Sequence, residues 1–80
     1  MDKVVVFFQP FAMKQNIVVY KNDEAINSRQ VKIEDIPATV KGFCSQYSIK
    51  DVDLKGSESY LNKYKAEILT EYSTLNVNIV

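Results

Sequence analysis

The chain is defined first by what it lacks, because it contains no histidine, no tryptophan and a single cysteine among its 80 residues. Without histidine it has no Ser-His or Cys-His nucleophile pair and no imidazole-ligated metal site. The lone Cys44 can neither close an internal disulfide nor hold zinc by itself. The sequence also has no phosphate-binding loop and no dinucleotide fingerprint. We therefore predict a protein that is not an enzyme, with no catalytic residues, no cofactor and no bound metal.

Charge of one sign is also lacking, since ten lysines and arginines balance ten acidic residues. Such a chain has no long-range field to attract nucleic acid or an anionic membrane. No apolar run approaches the roughly 18 residues of a membrane span, and no signal-peptide pattern is present. Only two glycines and two prolines occur, which is typical of a compact folded domain. We expect one domain over residues 1–80, located in the cytoplasm and not in a membrane.

What the chain does contain is a contrast between two kinds of strand-like segment. The first two, Val4 to Phe8 and Ile17 to Tyr20, are apolar at consecutive positions, so they place apolar groups on both faces of a sheet. The later segments alternate between apolar and polar residues. Strands are predicted at 3–8, 16–20, 29–33, 52–54 and 75–79, with a polar turn at 21–24.

Two helices are predicted between the later strands. Asp35 is placed to cap the first helix, and Pro37 is tolerated in its first turn. Gly56 and Ser57 offer a turn and an N-cap for the second. The apolar stripe of the first helix comprises Ile36, Val40, Phe43, Cys44 and Tyr47, and that of the second comprises Tyr60, Leu61, Tyr64, Ile68, Leu69 and Tyr72. Cys44 is thereby interpreted as a small buried hydrophobic residue.

The predicted fold is an α+β domain in the order β-β-β-α-β-α-β, with a mixed sheet of about five strands. This order resembles the core of the ribonuclease H-like fold. The resemblance implies a central first strand, a third strand at one edge, and fourth and fifth strands running parallel to the first on its other side. Right-handed crossovers then put both helices mainly on one face of the sheet.

The opposite face would lack a cover, and it is the predicted interaction surface. It would present either Val5 and Phe7 or Val4, Val6 and Phe8, with Ile17 and Val19 or Val18 and Tyr20 beside them. In the alternative interpretation, long side chains from the rims, or a different strand order, cover this face. The loop from Gln9 to Gln15 either plugs the core with Phe11 and Met13 or presents them to a partner. The hypothetical partner-binding residues are Val5, Phe7, Phe8, Phe11, Met13, Val18 and Tyr20.

Ribonuclease H-like enzymes place acidic residues on the first strand and near the end of the fourth, where two metal ions are held. The first strand here has no carboxylate between Val4 and Phe8, and Asp53 alone cannot build such a site. The resemblance therefore implies the fold without nuclease activity. Asp51 and Asp53 share a strand face, which we interpret as a solvated polar face.

The small, motif-free chain, rich in lysine, asparagine, isoleucine and tyrosine, is also similar to accessory proteins of phages and mobile elements of low-GC bacteria. That resemblance implies a non-catalytic protein that binds and modulates another protein. We predict a protein-binding or self-associating accessory module that meets a protein partner or a second copy through the uncovered sheet face. The alternative is a degenerate nucleic-acid-binding domain, against which the neutral charge and the core-facing tyrosines argue.

Overall fold

The computed structural model describes residues 2–9, 11–56 and 58–80, and the side chains of all of these except 58–60. Five strands and two α-helices follow the predicted order. The strands are β1 (Lys3–Phe7), β2 (Gln15–Lys21), β3 (Glu24–Val31), β4 (Asp51–Lys55) and β5 (Asn76–Ile79), and the helices are α1 (Ile36–Tyr47) and α2 (Glu58–Glu71). A short 3-10 turn at Ile33–Asp35 leads into α1. None of the helices in the described ranges is long and apolar enough to cross a membrane.

The strands form one mixed sheet in the order β3-β2-β1-β4-β5. β1 pairs antiparallel with β2 and parallel with β4, so it is the central strand. β3 pairs antiparallel with β2, and β5 pairs parallel with β4. The predicted α+β class and the mixed five-stranded sheet are confirmed. The ribonuclease H-like family itself stays a resemblance in element order.

Both helices cover the same face of the sheet. α1 packs on β1 and β2, whereas α2 packs on β4 and β5. Val4 and Val6 of β1 join the buried cluster beneath the helices, and the intervening Val5 does not. The remaining members from the sheet and the helices are Ile17, Val19, Val52, Leu54, Val77, Ile36, Val40, Phe43, Cys44, Leu61, Tyr64 and Ile68. Periodicity thus predicted the buried helix residues in this cluster, Cys44 among them, while Tyr47, Leu69 and Tyr72 of the predicted stripes are only partly buried.

The third strand is where the prediction was wrong, because β3 begins at Glu24 and ends at Val31 instead of spanning 29–33. Asn22 and Asp23 both have positive φ, 52° and 64°, which is the geometry of a tight two-residue hairpin turn. The strand therefore resumes at once after the turn. Its first half shows no alternation because the residues from Glu24 to Gln30 are all exposed, so neither face of the strand is buried there.

The start of α1 also differs from the prediction. Asp35 precedes the helix, but its side chain makes no capping hydrogen bond. The backbone of Asp35 is already near-helical (φ −95°, ψ −1°) because it ends the 3-10 turn, whereas a capping residue needs an extended backbone. Its carbonyl instead accepts a hydrogen bond from the Thr39 hydroxyl at 2.8 Å. The predicted cap at Ser57 and the side chain of Tyr60 lie outside the described part of the chain.

Candidate functional site

The sheet face opposite the helices is the first candidate surface. The strand register places Val5 beside Val18, Lys3 beside Tyr20, and Phe7 beside Lys55. These side chains share one face because paired residues in neighbouring strands point the same way. Of the two sets that the sequence allowed, the open face therefore carries Val5, Phe7, Val18 and Tyr20, hereafter the open-face stripe.

This stripe is less bare than the sequence predicted. Val5 is only 1% exposed and Val18 only 8%, although no helix lies above them. The Lys3 ammonium forms an ion pair with the Asp53 carboxylate at 3.3 Å, and the Lys55 ammonium lies 5.9 Å from the centre of the Phe7 ring. Long side chains from neighbouring strands thus cover much of the apolar surface. Phe7 and Tyr20 remain half-buried and line a shallow depression of about 270 Å³.

Phe8 does not belong to this surface. Its ring stacks on Tyr64 of α2, with centroids 5.2 Å apart and an angle of 21° between the planes. The side chain is 5% exposed and belongs to the core beneath the helices. Alternation along β1 explains this position, since Phe8 continues the series Val4 and Val6. The hypothesis that Phe8 contacts a partner is corrected accordingly.

The loop between β1 and β2 is the second candidate surface, and it is the more exposed of the two. Phe11 and Met13 are 104% and 90% exposed, the highest values among the large apolar side chains described. The sequence left open whether they plug the core or face outward, and the structure places both outward. Phe11 also has a positive φ of 65°, which costs free energy in a residue with a side chain.

A buried glutamine holds this loop in shape. Gln15 is 3% exposed and is the one buried polar residue among those described. Its Oε1 accepts a hydrogen bond from the Gln9 backbone N–H at 2.6 Å, and its Nε2 donates to the carbonyls of Gln9 and Ala12 at 3.2 and 3.5 Å. These bonds restrain the backbone at Gln9 and at Ala12 and satisfy the buried amide.

The sequence pattern did not predict the buried position of Gln15, because the pattern places this residue in a polar loop. One feature of the sequence could have indicated its burial. Gln15 has the same strand parity as Ile17 and Val19, which face the helices, so a strand beginning one residue earlier would have placed its amide inside. The fault lay in the boundary of β2, which was predicted to start at position 16.

Beside the loop, Met13 lines a small depression of about 240 Å³ together with Ile33. Lys14, Lys32 and Glu34 form its rim. An exposed apolar group next to an apolar hollow with a charged rim has the composition of a protein contact, in which a desolvated centre is surrounded by polar groups.

The carboxylates and the thiol that could take part in catalysis or metal binding already have other partners or are buried. Asp53 pairs with Lys3, and Asp51 accepts a hydrogen bond from the Asn76 amide at 3.3 Å. Burial, with a smaller contribution from the Asp51 carboxylate, raises the pKa of the Cys44 thiol to about 11, so this thiol is a poor nucleophile at neutral pH. Within the described ranges, no group of three or more metal-ligating side chains is brought together.

These surfaces have to be interpreted from their own geometry. No protein-family model matches the chain, and no curated protein or solved structure shows significant similarity to it.

Proposed function

We propose that this protein is a non-catalytic protein-binding module whose main contact element is the loop that carries Phe11 and Met13. The observation behind the proposal is the combination of two fully exposed apolar side chains with a buried amide, that of Gln15, which hydrogen-bonds to the backbone of Gln9 across the loop. If the loop were flexible, ordering it on binding would cost conformational entropy and weaken the affinity of its exposed apolar groups. An ordered loop avoids much of that entropic cost.

The loop with Phe11 and Met13 carries free-energy costs that a partner can offset. Exposing Phe11 and Met13 forfeits about 1.5–3 kcal/mol per side chain that burial would contribute. The positive φ of Phe11 and the burial of the Gln15 amide are further costs that a loop serving only as a connection avoids. A partner with an apolar pocket recovers the first cost on binding. Aromatic side chains are enriched at the energetic centres of such contacts.

The test is site-specific photocrosslinking in the cells that express the protein natively. A photoreactive phenylalanine analogue is placed at position 11, at position 13, and, as a control, at position 62, which is exposed on α2. We expect one dominant protein adduct from positions 11 and 13 that position 62 does not give. Equal adducts at all three positions, or none at 11 and 13, would refute the proposal.

The protein found in the adduct is then purified. Its binding to variants of this chain distinguishes the loss of a contact from the loss of the fold. Phe11→Ala should weaken binding at least about tenfold while leaving the melting temperature nearly unchanged, because the side chain is fully exposed. Gln15→Ala should weaken binding through disorder of the loop, without removing any exposed apolar atom. A Phe11→Ala variant that binds as tightly as the wild type would contradict the proposed contact.

A second candidate function, nucleic-acid binding without cleavage, is favoured by one observation on the open sheet face. Phe7 and Tyr20 line a depression together with Lys3 and Lys55, and paired aromatic and basic groups are the usual elements of base stacking. Asp23 lines the same depression, and Asp53 neutralises Lys3. Fluorescence anisotropy with a single-stranded oligonucleotide tests this alternative, which requires binding that weakens with salt and is lost in Tyr20→Ala.

A further inference from the structure

The outer edge of β3 is the longest unpaired strand edge in the described sheet. β3 has eight residues, pairs only with β2, and is exposed at every position except Val31. The opposite edge strand, β5, has only four residues. An open groove of about 430 Å³ separates β3 from α1.

Proteins usually protect such edges from pairing with other chains. The common devices are short edge strands, proline, charged side chains (lysine above all), bulges and covering helices. β3 contains no proline and no lysine, and its charged residues are Glu24 and Arg29. Its one irregularity lies opposite Val19 and Tyr20, near its first residues, and the register from Asn27 to Val31 is regular. Most of the edge therefore remains competent to pair.

The backbone of β3 at Ser28 is bonded only locally. The Ser28 backbone N–H donates to Oδ1 of the neighbouring Asn27 at 2.8 Å, and a pairing strand replaces this bond with one between strands. The Asn27 amide in turn donates to the Tyr47 hydroxyl at 2.9 Å, which ties this part of β3 to α1. The strand is thus anchored from the helix side while its outer edge stays open.

The charges along β3 indicate which partner strand fits. The segment begins with the acidic Asp23 and Glu24, and it continues with the basic Arg29 and Lys32. Two copies aligned in parallel would place like charges together, whereas two antiparallel copies place the acidic end of each beside the basic end of the other. A two-fold axis through Ser28 sets Asn27 opposite Arg29 of the second copy. Because Ile26 is an extra residue in β3, Glu24 then lies opposite Val31 of the second copy, on the same face as its Arg29 and diagonal to it.

We propose that the protein forms a two-fold homodimer by antiparallel pairing of β3 with β3 of a second copy, giving a continuous ten-stranded sheet. A contact along one strand edge is small compared with the roughly 1,200 Å² or more of stable complexes, so we expect a weak dimer that forms only as the protein concentration rises. This contact is separate from the Phe11 loop, and it goes beyond the proposed function without depending on it.

Sedimentation equilibrium from about 5 to about 500 µM tests the proposal by charge exchange. Arg29→Glu alone and Glu24→Arg alone should each weaken dimerisation at least about tenfold, because each sets like charges together at both ends of the dimer. The double variant should recover wild-type affinity to within about threefold. Ser28→Pro should abolish the dimer, with far-UV circular dichroism confirming that the variant is folded.

Three results would overturn the proposal. The first is a wild-type protein that stays monomeric over the whole concentration range. The second is a double variant that fails to recover what the folded single variants lose. The third is a dimer that survives Ser28→Pro but is lost in Tyr20→Ala or Phe11→Ala, which would assign self-association to the open face or to the loop. Phe11→Ala alone is expected to leave the β3 dimer unchanged.

Discussion

At the scale of single residues, the two glycines have opposite roles although the sequence presents them alike. Gly56 follows β4 with φ of 141°, and a Cβ atom there would lie 2.5 Å from the Phe8 carbonyl oxygen. Phe8 is held at that position because its N–H donates to the Lys55 carbonyl at 2.7 Å. Gly42 lies within α1, and a Cβ atom there would meet no atom within 4 Å.

We therefore predict opposite signs for the same substitution. Gly42→Ala should raise the free energy of unfolding by about 0.5–1 kcal/mol, because alanine loses less conformational entropy in a helix. Gly56→Ala should lower it by at least about 1–3 kcal/mol, because the backbone is strained for alanine and the Phe8 backbone cannot move aside. Urea denaturation of the two variants measures both effects. If both substitutions changed the free energy of unfolding in the same direction, that result would contradict the close approach of Gly56 to Phe8.

Cys44 provides a pH-dependent test at the same scale. Its buried thiol has a pKa raised to about 11 from an ordinary value of 9.0, first by desolvation and then by the Asp51 carboxylate. The pKa is raised only in the folded state, so the preference of the folded protein for the neutral Cys44 thiol contributes to the free energy of unfolding. This contribution is complete below about pH 9 and is lost as the pH rises through about 11.

Alkylation by iodoacetamide at about pH 8.5 should therefore be on the order of 100-fold slower in the native protein than in urea, since the thiolate reacts and its fraction follows the pKa. The matched control is the double variant Cys44→Ser with Ser45→Cys, which moves the thiol one residue to an exposed position of α1. That control should react at nearly the same rate in both states. Rapid native labelling of Cys44 would contradict its burial.

At the scale of elements, β1 shows how one strand serves two surfaces. Phe7 and Phe8 are adjacent and chemically identical, yet Phe7 lies half-buried on the open face and Phe8 is 5% exposed against Tyr64. The alternation of side chains along a strand accounts for the difference. Which of the two faces inward depends on where the helices pack.

Truncation of these neighbours should therefore have unequal effects. Phe8→Ala should lower the free energy of unfolding by about 3–5 kcal/mol, as is usual for a large aromatic side chain removed from a core. Phe7→Ala should cost about 1 kcal/mol, since only part of its ring leaves water on folding. Chemical denaturation of both variants under one set of conditions makes the comparison, and equal losses would contradict the assignment of faces.

At the scale of the whole molecule, a single cluster joins the two helices to four of the five strands. Its members in strands and helices come from β1, β2, β4, β5, α1 and α2, whereas β3 contributes only the partly buried Val31 at its margin. A core that is shared by elements along the described part of the chain favours cooperative unfolding.

We predict a single cooperative unfolding transition for the monomer. Tyrosine fluorescence reports on both sides of the sheet, because Tyr64 lies in the core and Tyr20 on the open face. At a protein concentration of about 1 µM, the thermal transition from far-UV circular dichroism and that from fluorescence should coincide within about 2 °C. Separate transitions would indicate that the helices and the sheet are not joined through one core.

The sequence by itself determined the kinds of element and their order. Helical spacing from Ile36 to Tyr47 and consecutive apolar residues in Val4 to Phe8 are local patterns, and local patterns predict local structure. The absence of histidine excluded imidazole chemistry without any structure. Resemblance in element order also led to the correct placement of β1 at the centre and of both helices on one face.

Contacts between distant segments determined which side chains are buried, which are exposed and how far β3 extends. The packing of the helices selected Val5 and Phe7 for the open face, since alternation defines two faces but does not say which one is covered. The inward position of Gln15, the outward positions of Phe11 and Met13, and the full length of β3 depend on how β2 pairs with its neighbours. The candidate surfaces therefore emerged only with the fold, because exposure is a property of long-range packing and not of residue type.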